Sequence, residues 1–290
     1  MEKRCILYKK QRKENKVKCL ACSHYCVISN GKTGICGVRK NLDGNLFLLV
    51  YGKVAAMHID PIEKKPLYHF LPGSYTYSIG TLGCNFKCEF CQNFDISQAH
   101  KKSIISFGVE ISPEQIVKNA LKTECKSVAY TYNEPIIFSE FVHDCAEIAH
   151  SKELKNVIVT NGYWSKESFE YLKDLIDAAN IDLKGDDYFY KKYCGGNLEP
   201  VLETIKRCYN YGIHVEITTL IIDGLNDDDI VLKKIAMFIA NLDKKIPWHI
   251  SRFFPHYKMK DKRITSISSL NKAYYIGKKA GLINVYLGNI

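Results

Sequence analysis

The chain has 290 residues, 46% hydrophobic and 25% charged, a balance that suits one barrel-sized domain plus a small module. No apolar run approaches a transmembrane span, and Met1–Tyr8 lacks the apolar stretch of a secretory signal, so neither a membrane partner nor export is expected. Twelve cysteines without an export signal point to a reducing cytoplasm, where metal ligation takes precedence over disulfides.

The formal charge of +10 gathers at the start. Residues 1–18 carry Lys3, Arg4, Lys9, Lys10, Arg12, Lys13, Lys16 and Lys18 against Glu2 and Glu14, a net +6. Such an arm can hold nucleic acid or an acidic partner; the preferred reading is a solvated amphipathic leader. Next come Cys19, Cys22, Cys26 and Cys36, with His24 among them. Four thiolates suit tetrahedral zinc, which would fold a small loop-rich module, and they equally suit an auxiliary iron–sulfur cluster. The knuckle-like loop between Cys26 and Cys36 tilts the expectation toward zinc. The turn signal Leu71-Pro72-Gly73-Ser74 then divides a basic, cysteine-rich module (1–72) from a core domain (73–290).

From Tyr75 onward strand-like runs alternate with helical periodicity. Strands are expected at 76–82, 127–132, 156–160, 179–183, 214–222 and 248–253. Helices between them are marked by Ser112-Pro113, by Pro135, by Ser165, by Glu199-Pro200 and by the acids Asp227–Asp229. Six βα units predict an α/β fold, a partial (β/α)6 TIM-like barrel, with 284–287 closing one edge. Reacting groups then belong at the carboxyl ends of the strands.

At the first such end stands Gly83-Cys84-Asn85-Phe86-Lys87-Cys88-Glu89-Phe90-Cys91-Gln92-Asn93. Cys84, Cys88 and Cys91, with Phe90 before the third, can hold three corners of a four-iron cluster and leave the fourth iron open. An open iron can chelate the amino and carboxylate groups of S-adenosylmethionine (SAM) and pass one electron into its sulfonium. A ferredoxin pattern would place x2 between its first cysteines and a fourth cysteine close behind, whereas none follows Cys91 until Cys125.

Later strand ends bring Asn133 and Glu134, Thr160 and Asn161, Asp182 and Lys184, and finally Arg252 and His256. Converging strands should ring one cavity with these groups, which supply partners for an ammonium, a carboxylate and ribose hydroxyls. Cys194, beside two glycines, together with the inward Glu216 and Arg252, are candidates on the substrate side. Cys125, Cys145 and Cys208 lie on or beside helices and read as small buried hydrophobes.

The cysteine segment resembles the signature of the radical SAM superfamily, which implies a [4Fe–4S] cluster and SAM cleaved to a 5′-deoxyadenosyl radical. The ring of strand ends, over most of 19–260, looks like that of glycyl-radical-enzyme activating proteins. That likeness implies SAM contacts from Asn133-Glu134-Pro135, Asp182, Lys184 and His256, although Tyr132 and Asn133 replace the usual paired glycines. A closer resemblance rests on the leader cysteines, on Gly34–Asn41, on Asp60–Gly73 and on Thr131–Pro135. It is to the radical SAM member of the AmmeMemoRadiSam system, named for its genomic company with two other protein families. A ferredoxin- or flavodoxin-type electron donor and a small-molecule or protein substrate are implied. The rival readings are an activase acting on a partner's glycine and, from another class, a non-catalytic metal protein holding nucleic acid.

Overall fold

The computed structural model describes residues 3–11, 15–99 and 108–290. Its first strands are short: β1 (Lys3–Arg4), β2 (Tyr8–Lys10), β3 (Val17–Cys19), β4 (Val27–Ile28), β5 (Arg39–Leu42) and β6 (Asn45–Leu48). They form two antiparallel sheets, ordered β2-β3-β4 and β1-β6-β5. The described part of the leader is therefore not a solvated arm. Cys5 and Leu7 are buried with Val17, Leu46 and Leu48, and apolar burial fixes the basic strands to the module. Residues 1, 2 and 12–14, with Glu2, Arg12, Lys13 and Glu14, lie outside the described residues.

β7 (Lys53–Val54) pairs with β10 (Val109–Glu110), and β8 (Ala56–Pro61) enters the main sheet antiparallel to β9 (Tyr75–Gly80). The turn at 71–74 thus links two strands of one sheet, with Ile62 N donating to Ser74 O at 2.9 Å. A division at residue 72 therefore falls between two paired strands.

The remaining strands are β11 (Ser127–Tyr130), β12 (Lys155–Thr160), β13 (Ala178–Asp182), β14 (His214–Ile221), β15 (Trp248–Arg252) and β16 (Val285–Gly288). The eight-stranded sheet runs β16-β15-β14-β13-β12-β11-β9-β8, parallel throughout except at β8. β11 is buried at every position, as a parallel strand covered on both faces must be. It stops at Tyr130, short of the expected end at 132, because Tyr132 takes φ +71°. The helices begin where their caps sit. Ser112 accepts from Gln115 N ahead of Pro113–Lys122, and Asp228 accepts from Ile230 N and Val231 N ahead of Asp229–Leu242.

One buried ion pair joins module to barrel. The Arg39 guanidinium donates to Glu140 Oε1 at 3.0 Å, to Ser139 Oγ at 2.9 Å and to Ile137 O at 2.8 Å. Both side chains are essentially sealed from solvent. Burial alone would push the Glu140 carboxyl up, yet Arg39 holds it below its usual range. Removing one partner of such a pair leaves an uncompensated charge, which costs about 3–5 kcal/mol. Arg39→Leu is expected to lose that much stability in denaturant unfolding of the metal-free chain. Arg39→Leu combined with Glu140→Leu should lose less. A single-variant loss under about 1 kcal/mol would contradict the docking role.

Candidate active site

β9 delivers the chain to the upper rim of the sheet through two tight glycines. A Cβ on Gly80 would stand 2.7 Å from Thr131 O. Gly83, at φ +88°, lies so close to the module that its Cβ would meet Cys36 O at 2.6 Å. The Cys84–Cys91 loop that follows is pinned by backbone bonds rather than by secondary structure. Lys87 N donates to Cys194 O at 2.8 Å, Glu89 N to Tyr193 O at 3.0 Å and Lys258 N to Glu89 O at 3.1 Å. Phe86 is buried beneath the loop, its ring packed on Tyr163 and Tyr190.

A cavity of about 410 Å³ opens above the sheet, and Cys84, Cys88, Cys91 and Phe90 form one wall. Asn133, Glu134, Thr160, Asn161, Asp182 and Lys184 line the rest of its depth, all on the strand ends that sequence reasoning named. Glu134 organises this side. Its carboxylate accepts from Thr160 Oγ1 and from Asn161 N, each at 2.7 Å, and from Ile136 N at 3.1 Å. Burial nevertheless pushes its pKa up to about 7. Asn133 braces the cysteine loop, donating to Gly83 O at 2.8 Å while accepting from Thr81 N at 3.1 Å. Lys184 Nζ lies 2.6 Å from Asp182 Oδ2. Burial works against the lysine's charge, but Asp182 and the nearby Cys88 sulfur raise its pKa above the usual value.

Four expected residues are not brought into the lining. His256 packs its ring against Phe94, 5.3 Å between centroids, because the loop after β15 closes on itself through Thr265 and Phe253. Ser251 reaches the cavity from β15 instead. Arg252 donates to Thr265 O at 2.9 Å and lies over Phe254. Cys194 is buried behind the loop, its thiol against Cys88. Glu216 sits low in the barrel, where Tyr68 N, His69 N, His214 and His249 all contact its carboxylate at 2.6–3.0 Å. The segment it holds covers the lower end of the sheet, with His69 Nε2 within 2.7 Å of Tyr286 Oη on β16 and Pro66 O accepting from Asn180.

Sequence reasoning missed the β8 side of the cavity, toward the lower end of the sheet. Asp60 accepts from Lys65 and from the Tyr132 hydroxyl, both at 2.7 Å, and Lys65 lies over the Tyr132 ring. All three line the cavity, with Thr218 and Leu220 opposite. The available signal was the Asp60–Lys65 stretch itself, which becomes a site element only once β8 is placed in the sheet.

Three thiols on one loop, facing carboxylates, amides and a lysine across a shared cavity, fit a cluster with one open iron and a zwitterionic ligand. The pattern of the Radical SAM superfamily matches residues 78–232. The chain belongs to that superfamily. Radical SAM proteins use a [4Fe–4S] cluster and SAM, so this chain is an enzyme of SAM radical chemistry that needs an electron donor and a substrate. An uncharacterised protein of Methanocaldococcus jannaschii is 44% identical over 278 residues, covering 96% of this chain and 82% of that protein. A second protein of that organism, named for glycyl-radical enzyme activation, is 27% identical over 180 residues, 60% of this chain and 65% of its own length. Streptococcus suis SuiB, solved with its precursor peptide SuiA, shares the fold at a TM-score of 0.56 and 16% identity, over 72% of this chain and 47% of that one. No helix among the described residues is long and apolar enough to cross a membrane.

Glu216 offers a test of the barrel's lower layer. Burial pushes its carboxyl up, but the bonds from His214, His249 and two amides outweigh burial and hold its pKa at about 2, against 4.5 for a free glutamate. A depressed folded pKa contributes stability that is complete above about pH 4.5 and lost as pH falls toward about 2. The stability gap between wild type and Glu216→Gln should therefore be largest near neutrality, about 3 kcal/mol at most, and shrink across that window. A gap independent of pH, read by denaturant titration, would count against this assignment.

Proposed function

We propose that Cys84, Cys88 and Cys91 ligate three irons of the cluster and that the chain is a radical SAM enzyme of the AmmeMemoRadiSam type. The observation that supports it is the shared cavity, in which the three sulfurs face Glu134, Asp182 and Lys184. When bound there, cluster and SAM supply a one-electron cleavage to methionine and a 5′-deoxyadenosyl radical, which takes hydrogen from a substrate or adds to it. Lys184 offers the cation for the methionyl carboxylate, and Asp182 orients that lysine. Glu134, already holding Thr160 and Asn161, fixes the amides that border the ribose side. Phe90 shields the sulfurs, packing on Phe189 at 5.5 Å between ring centroids. Asp60, Lys65 and Tyr132 on the β8 side of the cavity give the substrate a charged and aromatic surface.

A peptide glycine as substrate is the second reading, favoured by the relative named for glycyl-radical enzyme activation.

Anaerobically reconstituted protein, given dithionite and SAM, should form 5′-deoxyadenosine, and Cys88→Ala should not. Cleavage that survives in Cys88→Ala, or a SAM-insensitive electron paramagnetic resonance signal from the reduced wild-type cluster, would refute the assignment. Lys184→Ala should keep its iron while binding SAM roughly ten- to a hundredfold more weakly, the worth of one charge-assisted hydrogen bond.

A further inference from the structure

Cys19, Cys22, Cys26 and Cys36 line one space between the module and the barrel. Backbone amides are directed at their sulfurs: Ala21 toward Cys19, His24 toward Cys22, and Val38 and Arg39 toward Cys36. Amides aimed at sulfur are the hydrogen bonds that support metal-bound thiolates. The His24 Nε2 lies 2.9 Å from Asn85 O and its ring packs on Tyr163, which ties the module to the wall of the active site.

The spacing of the sulfurs discriminates between metals. Zinc bonds thiolates at about 2.3 Å, so a tetrahedral site brings its sulfurs within about 3.8 Å of one another. Among the described residues only His143, Asp144 and Glu147 bring three such ligand atoms within 4.8 Å. No three of the module's cysteines do so, and neither do Cys84, Cys88 and Cys91. Both sets are thus spaced more widely than a single zinc ion allows, and a four-iron cube, where each sulfur is bonded to a different iron, accommodates such spacing.

A separate observation points to an occupant. Asn85 is 1% exposed and lines this space, yet its Nδ2 has no hydrogen-bond partner among the described residues. A buried amide left unpaired is costly unless something unseen accepts from it, as a cluster sulfide can. Its Oδ1 meanwhile accepts from Asn161 at 2.8 Å on the active-site side. Asn85 and Gly83, packed on Cys36 O, are thus the shared wall of two cysteine sites.

We infer that Cys19, Cys22, Cys26 and Cys36 hold a second iron–sulfur cluster of the four-iron type, separated from the first site by the Gly83–Asn85 wall. Of the two metals that the four cysteines suit, this inference takes the iron–sulfur cluster over zinc. The centre is a one-electron carrier beside the site where the proposed chemistry consumes one electron, although its existence does not depend on that chemistry.

Metal analysis of the full chain tests this independently of turnover. After anaerobic reconstitution with iron and sulfide, Cys84→Ala/Cys88→Ala/Cys91→Ala should keep about four irons and about four sulfides and give a reduced-cluster resonance signal. Wild type should carry about twice that iron, and its fully reduced spectrum should be broader than the sum of two isolated clusters. Tightly bound zinc at about one per chain, with iron only for one cluster in wild type, would overturn the inference. So would an iron-free triple variant whose circular dichroism is unchanged. If the triple variant does not fold, the wild-type count of irons and zinc decides alone.

Discussion

An arginine and a glutamate taken wholly out of water, Arg39 and Glu140, set the relation between the cysteine module and the barrel. Desolvating both charges is worth accepting only if nearly every donor and acceptor finds a partner. Here Arg39 reaches Ile137 O, Ser139 Oγ and the carboxylate, while Glu140 also accepts from Ile6 N at 3.1 Å. Leader, module and the turn after Glu134 therefore meet at one point. The cysteine loop lies between those same parts, so its position is inherited from the pair.

The active site is built on the same economy. No regular element carries Cys84, Cys88 or Cys91. Their loop holds its shape because Asn133, Tyr193, Cys194 and Lys258 supply partners for its backbone. Glu134 does the equivalent for the next strand, tying Thr160 and Asn161 to the end of β11. Each strand end is braced by its neighbour, which is how a ring of short polar side chains stays open around a cavity without collapsing into it.

Much of this was legible because parallel strands announce themselves. Buried runs such as Ser127–Tyr130, followed by polar residues and a cap, locate both a strand and its functional end. Asn133, Glu134, Asp182 and Lys184 were found that way. The leader was not, since strands of two or three residues offer too few positions for any period to show. Glu216 illustrates a different limit: alternation tells that a side chain points inward, but not at which height in the barrel it does so. His256 follows the right strand, yet the loop turns back through Thr265 and carries it onto Phe94. Asp60 and Lys65 were hidden because an antiparallel edge strand preceding a turn reads like the end of a separate module.

The segment from Pro66 to Phe70 has a consequence for traffic. Anchored by Glu216 and leaning on Tyr286, it stoppers the lower end of a sheet whose outer strands, β8 and β16, do not pair with each other. Among the described residues this end of the cavity is therefore backed by protein. Reactants and spent fragments are left the upper rim beside the cysteine loop, so one load has to clear before the next can enter.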